Sequence, residues 1–292
     1  MSWLQLELET NQTHAEELST LLEQLGAISV SLTASSSEPV FDESDKDNTF
    51  WERTKLSVLL NSKCNIDNLL IQLRSHVGSN AIYSHNIKFL EDKDWVNEFK
   101  SKYQPIFFSN KICISPSWRE PSKNKIATIV LDPGLAFGTG SHPTTSLCIE
   151  WFCKNDINNK IVIDYGCGSG ILAMVAVKFG AKKVLAIDID EQALNTTREN
   201  IEKNKLQEKI LVCHPENAVI LKADILVANI LQNPLKKLLK EFSSLTKPGG
   251  HIILSGLLST QTKECLAAYR THFNMDEPVL RKSWASLHGV RL

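Results

Sequence analysis

The chain has 292 residues with a formal net charge of -1, and its 42% hydrophobic content is enough for a sizeable core. This length allows two domains of ordinary size, and the near-neutral charge gives no overall attraction to nucleic acid. No stretch approaches the roughly 20 apolar residues that a membrane span needs, and the N-terminus does not have the pattern of a signal peptide. The seven cysteines form no C-x-x-C pair, which disfavours zinc or a disulfide framework and is typical of a reduced cytoplasmic protein.

Residues 1–91 alternate between strand and helix patterns. Their periodicity predicts strands at 2–9, 27–34, 55–60 and 82–90, and helices at 13–25 and 66–77. The order strand-helix-strand, strand-helix-strand is that of a ferredoxin-like α+β domain, with a polar exposed loop at 35–48. His14, His76 and His85 are isolated, and we interpret them as surface or structural residues because ligands and bases come in constellations.

Residues 92–104 are charged with interleaved aromatic side chains, and they predict a helical connector between two domains. Trp95 and Phe99 are four residues apart and would lie on one helix face. Packing against a neighbouring domain explains these rings better than stacking on bases, and Pro105 ends the segment.

Short apolar strands alternate with helices from residue 160 onward. The pattern predicts strands at 161–164, 183–187, 210–213, 224–227 and 251–254, helices at 171–179, 191–204, 234–245 and 262–272, and a two-stranded hairpin within 275–292. Such alternation requires a parallel sheet covered by helices on both faces. The sequence therefore predicts an α/β, Rossmann-like domain over residues 105–292.

A glycine-rich turn follows the first of these strands. The segment Asp164-Tyr165-Gly166-Cys167-Gly168-Ser169-Gly170 leads from an apolar strand directly into a helix. Glycines are needed where a backbone turns tightly and a ligand approaches it, and open α/β sheets bind ligands at the carboxyl ends of their strands. A nicotinamide site would favour G-x-G-x-x-G. The spacing here is Asp-x-Gly-x-Gly-x-Gly, which resembles motif I of the class I methyltransferases.

The next predicted strand ends in a carboxylate, Asp188. An acidic side chain at this position can accept hydrogen bonds from both ribose hydroxyls of a bound nucleoside. The alternative is that Asp188 or Asp190 merely caps the following helix. Asp190 fits the capping role, whereas Asp188, at the end of the strand, fits the ribose role better.

Asn229 ends the fourth predicted strand, at the same edge of the sheet. Its amide can accept hydrogen bonds and donate two, which suits orienting the lone pair of an amine toward a methyl group. The alternative is an asparagine that begins a turn before Pro234. The residue taken alone does not decide between the two.

The stretch at 132–145 reads D-P-G-L-A-F-G-T-G-S-H-P-T-T and precedes the predicted sheet. Its glycines and prolines exclude a simple helix or strand, and a structured loop of this chemistry is usually functional. A phosphate-binding loop would end in G-K-[ST], which is absent. His142 has no partner at metal-ligand spacing, so the sequence predicts no metal site.

Together these segments resemble the ribosomal protein L11 methyltransferase family. The resemblance is carried by the stretch at 132–145, by I-D-Y-G-C-G-S-G-I-L-A at 163–173, by A-I-D-I-D at 186–190 and by V-A-N-I-L at 227–231. The segment W-V-N-E-F-K-S-K-Y-Q-P-I at 95–106 is similar to the family's connector. The resemblance covers essentially the whole chain, because a ferredoxin-like N-terminal domain is part of the family.

The resemblance implies a cytoplasmic enzyme that uses S-adenosyl-L-methionine to methylate, up to trimethylation, the α-amino group and lysine ε-amino groups of ribosomal protein L11. The N-terminal domain would recognise this substrate, free or ribosome-bound, and the connector would let the catalytic domain reach more than one amine. Carried over residue by residue, the resemblance implies cofactor contacts at Thr145, Gly166, Gly168, Asp188 and Asn229, with Phe137 beside the cofactor and Asn229 also as the catalytic residue.

Other functions fit the sequence less well. A release-factor glutamine or nucleic-acid methyltransferase is disfavoured because Asn229-Ile230-Leu231 stands where related enzymes carry Asn-Pro-Pro-Tyr, and because the charge is near neutral. We therefore expect no direct nucleic-acid substrate and no membrane partner. A non-catalytic binding module is disfavoured by the intact site residues, and a nicotinamide dehydrogenase by the glycine spacing. Since the motifs contain no evident His–carboxylate pair, we also hypothesise that methyl transfer uses no dedicated general base.

Overall fold

The structure is a computed structural model that describes residues 3–35, 51–90, 94, 100–101, 103–119, 127–133, 138–218 and 221–292. The chain divides into two compact units, Met1–Phe99 and Lys100–Leu292. Among the helices of the described residues, none is long and apolar enough to span a membrane.

The N-terminal unit has the ferredoxin-like fold that the sequence predicts. Its elements are β1 (Trp3–Asn11), α1 (Gln12–Gln24), β2 (Ser29–Ala34), β3 (Arg53–Asn61), α2 (Ile66–Val77) and β4 (Ser84–Leu90). The strands form an antiparallel sheet in the order β2-β3-β1-β4. Every second residue of β1 is buried, because leucines alternate with polar residues there. Leucines at helical spacing on α1 and α2 complete this core.

Two sequence predictions fall largely outside the described residues. The polar loop expected at 35–48 is described only at Ser35. The connector expected at 92–104 is described only at positions 94, 100, 101, 103 and 104, so Trp95 and Phe99 lie outside the description.

The C-terminal unit begins with elements that the sequence patterns do not reveal. Three short strands, β5 (Ile106–Phe108), β6 (Ile112–Ser115) and β7 (Ala127–Val130), form a small sheet in that order, and α3 (Pro143–Lys154) follows. The strands have only 3, 4 and 4 residues. Segments this short do not show a clear hydrophobic periodicity.

The remaining elements build one large sheet with helices around it. They are β8 (Ile161–Tyr165), α4 (Ile171–Lys178), β9 (Lys183–Ile187), α5 (Glu191–Lys203), β10 (Ile210–Cys213), β11 (Ala223–Asn229), α6 (Gln232–Leu245), β12 (Thr246–Leu258), α7 (Thr262–Tyr269), β13 (Phe273–Met275), β14 (Val279–Arg281) and β15 (Trp284–Arg291). The strand order is β10-β9-β8-β11-β12-β15-β13, and β14 pairs with β15. The first five strands are parallel, whereas β15 runs antiparallel to β12 and β13.

Hydrophobic cores lie on both faces of this sheet, as the apolar strands predict. Within β8, Val162 belongs to one core and the adjacent Ile163 to the other, because neighbouring strand residues point to opposite faces. The predicted α/β fold is confirmed. The predicted tail hairpin is also present as β14 and β15, but β15 extends further and inserts between β12 and β13. β12 is longer than the predicted strand at 251–254, since it already pairs with β11 at Thr246.

Candidate active site

The predicted site residues of the sheet lie at the carboxyl ends of three neighbouring strands. Gly166 and Gly168 follow β8, Asp188 follows β9, and Asn229 is the last residue of β11. The chain passes from β8 to β9 and β10 on one side and later returns to β11 on the other. This edge is therefore the topological switch point of the sheet, where open α/β folds bind their ligands.

The turn after β8 depends on its glycines. Gly166, Gly168 and Gly170 all have positive φ angles, at 76°, 55° and 76°, a region that other residues rarely adopt. The N–H groups of Gly166 and Cys167 both donate to the carbonyl oxygen of Ile187, at 2.8 and 2.9 Å. A Cβ atom on Gly166 would lie 2.2 Å from Cγ2 of Ile230. The turn is thus held against β9 and leaves no room for a side chain at Gly166.

Asp188 is hydrogen-bonded to this turn. Its Oδ2 accepts from the N–H of Gly168 at 2.9 Å, and its Oδ1 accepts from the N–H of Asp190 at 3.1 Å. An ionised carboxylate offers about four acceptor positions, so this half-buried side chain can accept two more hydrogen bonds. Asp190 caps α5 by accepting from the N–H of Gln192 at 2.9 Å, the role that the sequence indicates for it.

Asp164 lies buried beneath the same turn. Its Oδ2 accepts from the N–H of Ala173 at 2.9 Å, while its Oδ1 has no hydrogen-bond partner among the described residues. Burial raises the pKa of Asp164 to about 7; the hydrogen bond from Ala173 opposes this shift and the charge of Asp188 adds to it. The first residue of the glycine motif is therefore a titratable group near neutral pH.

Asn229 meets Thr145 across the crevice. Asn229 Nδ2 donates to Thr145 Oγ1 at 3.2 Å, and Thr145 is fully buried in the first turn of α3. Asn229 Oδ1 is buried without a partner among the described residues. A buried amide oxygen without a partner costs free energy, so this atom is an acceptor open to a ligand.

Where it is described, the stretch at 132–145 is not a simple helix or strand, as predicted, and only its last three residues are helical, in the first turn of α3. Pro143 occupies the first position of α3 and His142 caps the helix, with its side chain accepting from the N–H of Thr144. Proline at this position favours helix because its φ is already fixed. Residues 134–137, including Phe137, lie outside the description, so the predicted place of Phe137 beside the cofactor stays a prediction.

The rest of this stretch docks onto the glycine turn. Ser169 Oγ donates to the carbonyl oxygen of Gly138 at 2.6 Å, and Ser146 Oγ donates to that of Gly140 at 3.0 Å. The first hydrogen bond brings the two glycine-rich segments into contact, and the second holds Gly140 to α3. Ser169 and Ser146 carried no signal of this role in the sequence.

The ring of His142 packs against a residue that the sequence analysis did not select. His142 and Trp284 form an edge-on pair with centroids 4.8 Å apart, and Nδ1 of His142 lies 2.7 Å from Thr144 Oγ1. Burial lowers the pKa of His142, which favours the neutral ring. Arg281, near Trp284, makes a two-oxygen ion pair with Glu150 of α3, at 2.7 and 2.8 Å. The tail hairpin therefore supports the helix that carries Thr145.

The chemistry of these residues fits a nucleoside-bearing cofactor. Asp188 retains acceptor positions of the kind that bind ribose hydroxyls, and Asn229 Oδ1 has no hydrogen-bond partner among the described residues. In the described part of the chain, no group of three or more His, Cys, Asp or Glu side chains is arranged to hold a metal ion. Together, fold and site define a class I S-adenosylmethionine-dependent methyltransferase.

Comparisons with known proteins identify the family. The sequence profile of the ribosomal protein L11 methyltransferase (PrmA) family matches residues 2–292. Ribosomal protein L11 methyltransferases from Shewanella woodyi and Shewanella amazonensis are 42% and 40% identical to the chain over 292 residues, which is 100% of this chain and 100% and 99% of theirs. The chain belongs to the ribosomal protein L11 methyltransferase family, as the resemblance of its motifs implies.

A solved structure agrees with this assignment. The crystal structure of the ribosomal protein L11 methylase from Lactobacillus delbrueckii subsp. bulgaricus is 32% identical in sequence, with a TM-score of 0.57. The match covers 65% of this chain and 99% of that one. Family membership excludes the dehydrogenase and the non-catalytic module as descriptions of the chain.

Proposed function

We propose that this enzyme transfers methyl groups from S-adenosyl-L-methionine to amine nitrogens of ribosomal protein L11, namely the N-terminal α-amino group and lysine ε-amino groups, up to trimethylation. The proposal rests on the family assignment and on one observation in the site. Within the described parts of the chain, Asn229 Oδ1 is a buried acceptor without a hydrogen-bond partner, and it lies at the switch point of the sheet. The neutral amines that attack in the first and second transfers carry the N–H groups that such an acceptor needs, whereas the dimethylated amine of the third transfer has none and would be aligned by the crevice alone.

Asn229 is the residue to which we assign the catalytic contact. Its Nδ2 is engaged by Thr145, which fixes the plane of the amide and leaves Oδ1 to accept from the substrate nitrogen. A hydrogen bond to the N–H of an amine turns the nitrogen lone pair away from that bond. Alignment of donor and acceptor is the main contribution a protein makes to such a transfer, because the cofactor itself supplies an activated methyl group on a sulfonium.

Five residues would hold the cofactor together with Asn229. Asp188 would accept from the ribose, the backbone of Gly166 and Gly168 would line the crevice, Thr145 would contact the cofactor from α3, and Phe137 would flank it. Asp188 supports this assignment best, since its two existing hydrogen bonds orient the carboxylate while leaving acceptor positions.

The acceptor nitrogen must be neutral to attack the methyl group. An α-amino group with a pKa of about 8 loses its proton readily at pH 7, whereas a lysine with a pKa of about 10.4 costs roughly 4.6 kcal/mol. Desolvation in the crevice lowers the pKa of an amine and supplies part of this. His142 is a poor general base, because its Nδ1 already faces Thr144 as the cap of α3. We therefore retain the hypothesis that no dedicated base is used.

The two domains of the chain would have different roles. We propose residues 1–91 as the substrate-recognition domain, residues 92–104 as the connector and residues 105–292 as the catalytic domain. The separation of the chain into the compact units Met1–Phe99 and Lys100–Leu292 supports a boundary within residues 92–104. The enzyme would act in the cytoplasm, where ribosomal proteins are made, on free or ribosome-bound L11, without nucleic acid or membrane as a direct partner.

Transfer of a labelled methyl group tests this function. The enzyme is incubated with labelled S-adenosylmethionine and, separately, with purified L11, L11 acetylated at its α-amino group, and ribosomal RNA. Label is expected in L11, with a smaller amount in the acetylated protein because lysines remain, and none in RNA. Label in RNA, or no label in any arm, would refute the proposal. Thermal stabilisation by S-adenosylmethionine but not NAD shows independently that the cofactor binds.

A further inference from the structure

Two side chains of α5 hold the carbonyl groups of the glycine turn. Thr197 Oγ1 donates to the carbonyl oxygen of Gly168 at 2.8 Å, and Asn200 Nδ2 donates to that of Ser169 at 2.9 Å. Both side chains are buried, at 0% and 8% exposure. Because buried polar groups need partners, neither peptide can rotate without leaving an unsatisfied group behind.

Thr197 also packs directly against the turn. A Cβ atom on Gly170 would lie 2.8 Å from Thr197 Cγ2, and Cys167 Sγ lies 3.5 Å from Thr197 Oγ1. One threonine thus contacts three residues of the turn, Cys167, Gly168 and Gly170. Its position determines how closely α5 approaches the glycine motif.

The influence of Thr197 extends to Asp188 through Gly168. The carbonyl oxygen of Gly168 accepts from Thr197, and its N–H donates to Asp188 Oδ2 at 2.9 Å. Gly168 lacks a side chain and has a φ of 55°, so little besides these two hydrogen bonds restricts its backbone. Loss of the Thr197 hydroxyl would loosen Gly168 and, with it, the carboxylate of Asp188.

The C-terminal end of α5 holds a second segment of the site. Asn204, the C-cap residue, donates through Nδ2 to the carbonyl oxygen of Val130 at 2.7 Å and accepts through Oδ1 from its N–H at 2.8 Å. Lys203 Nζ lies 2.8 Å from Asp132 Oδ2, at the start of the stretch at 132–145. A single helix therefore fixes the glycine turn and the strand that leads into this stretch.

We propose that Thr197 and Asn200 are positioning residues of the methyltransferase, which hold the glycine turn and Asp188 in the orientation that binds the cofactor. This inference rests on the proposed function and deepens it, because it adds residues that act through Gly168 and Ser169 on the cofactor-binding groups. The competing interpretation is that both side chains only stabilise the fold, in which case their loss would lower the melting temperature without a specific effect on cofactor binding.

Thr197→Val removes the hydroxyl at nearly constant shape and is the main test. The matched control is Thr196→Val on the same helix, where the hydroxyl donates only to the carbonyl oxygen of Gln192 in its own helix, at 2.9 Å. A second control, Thr197→Ser, keeps the hydroxyl and removes only the methyl group. For each purified full-length variant, calorimetry gives the Kd for S-adenosylmethionine, kinetics give KM and kcat with L11, and thermal unfolding gives Tm.

We expect Thr197→Val to raise the Kd and KM for S-adenosylmethionine roughly tenfold, the size expected for one hydrogen bond, with a smaller effect on kcat. Thr196→Val and Thr197→Ser should bind like the wild type. A lowered Tm with wild-type Kd and KM in Thr197→Val would overturn the proposal. If that variant does not fold, Asn200→Ser is judged by the same criteria. Failure of the wild type itself to bind S-adenosylmethionine would instead refute the proposed function.

Discussion

Asn229 and Thr145 join two segments of the site that lie far apart in the sequence. The amide of Asn229, at the end of β11, donates to the hydroxyl of Thr145, in the first turn of α3, at 3.2 Å. This hydrogen bond uses Nδ2 and leaves Oδ1 without a partner among the described residues. In this arrangement Oδ1 is the atom of Asn229 that is available to a substrate.

Replacement of Asn229 is expected to slow the reaction more than it weakens cofactor binding. Asn229→Ala removes the acceptor, and we expect kcat to fall by about 10²-fold, as misplacement of reacting groups commonly does. Thr145→Val leaves the amide free to rotate and should lower kcat about tenfold, whereas Thr145→Ser keeps the hydroxyl and should retain activity. Steady-state kinetics with L11 measure these effects. A wild-type kcat in Asn229→Ala would remove this residue from the catalytic step.

Gly166 is expected to tolerate no side chain, for a reason separate from its backbone angle. Gly166 and Gly249 have similar φ angles, 76° and 73°, but an added Cβ would lie 2.2 Å from Ile230 Cγ2 at the first and would meet nothing within 4 Å at the second. Gly249→Ala therefore bears only the left-handed strain of about 1–2 kcal/mol. Gly166→Ala should lower Tm further and abolish detectable cofactor binding.

A second substitution tests the proposed clash directly. Ile230→Ala removes the methyl group that the new Cβ would meet, so the double variant Gly166→Ala, Ile230→Ala should recover part of the lost Tm. Thermal unfolding of the three variants measures this coupling. Strictly additive losses would show that the strain of Gly166→Ala arises elsewhere.

The sequence reveals those parts of the site that depend on local pattern. An apolar strand followed by Gly166 and Gly168, and a second strand ending at Asp188, can be recognised within a few residues, and the parallel fold then brings them to one edge. The contact of Asn229 with Thr145 cannot be recognised in this way, because no local pattern links a strand end to the first turn of a distant helix. The support of the glycine turn by Thr197 and Asn200 is hidden for the same reason, since both look like ordinary polar residues of an amphipathic helix.

Asp188 and Asp190 allow a matched test of the ribose role. Asp188→Asn removes the charge that accepts from Gly168, and the affinity for S-adenosylmethionine should fall at least tenfold, because hydrogen bonds to a charged group contribute about 1.5–3 kcal/mol. Asp190→Asn, two residues away, should bind normally, since asparagine caps a helix as well as aspartate. Calorimetry with S-adenosylmethionine measures both. Equal affinities of the two variants would argue against a ribose contact at Asp188.

The sequence also could not predict the electrostatic state of Asp164. Its place in the glycine motif is visible, but the shift of its pKa depends on burial beneath the turn and on the charge of Asp188 nearby. Burial of this kind follows from tertiary packing rather than from the residues next to Asp164.

The raised pKa of Asp164 predicts a pH dependence of stability. With a pKa of about 7 in the folded protein and about 3.9 in the unfolded chain, the folded state binds more protons between these values. The stabilisation from the protonated carboxyl is fully present below the lower value and is lost as the pH rises through the higher one. From pH 5 to pH 8, the wild type should therefore lose roughly 2 kcal/mol of unfolding free energy relative to Asp164→Asn.

Urea unfolding at four pH values measures this difference, in which the contributions of other titrating groups cancel. Asp188→Asn should reduce the effect because it removes a neighbouring negative charge. If the unfolding free energies of Asp164→Asn and the wild type instead change equally with pH, Asp164 is ionised in the folded protein throughout this range.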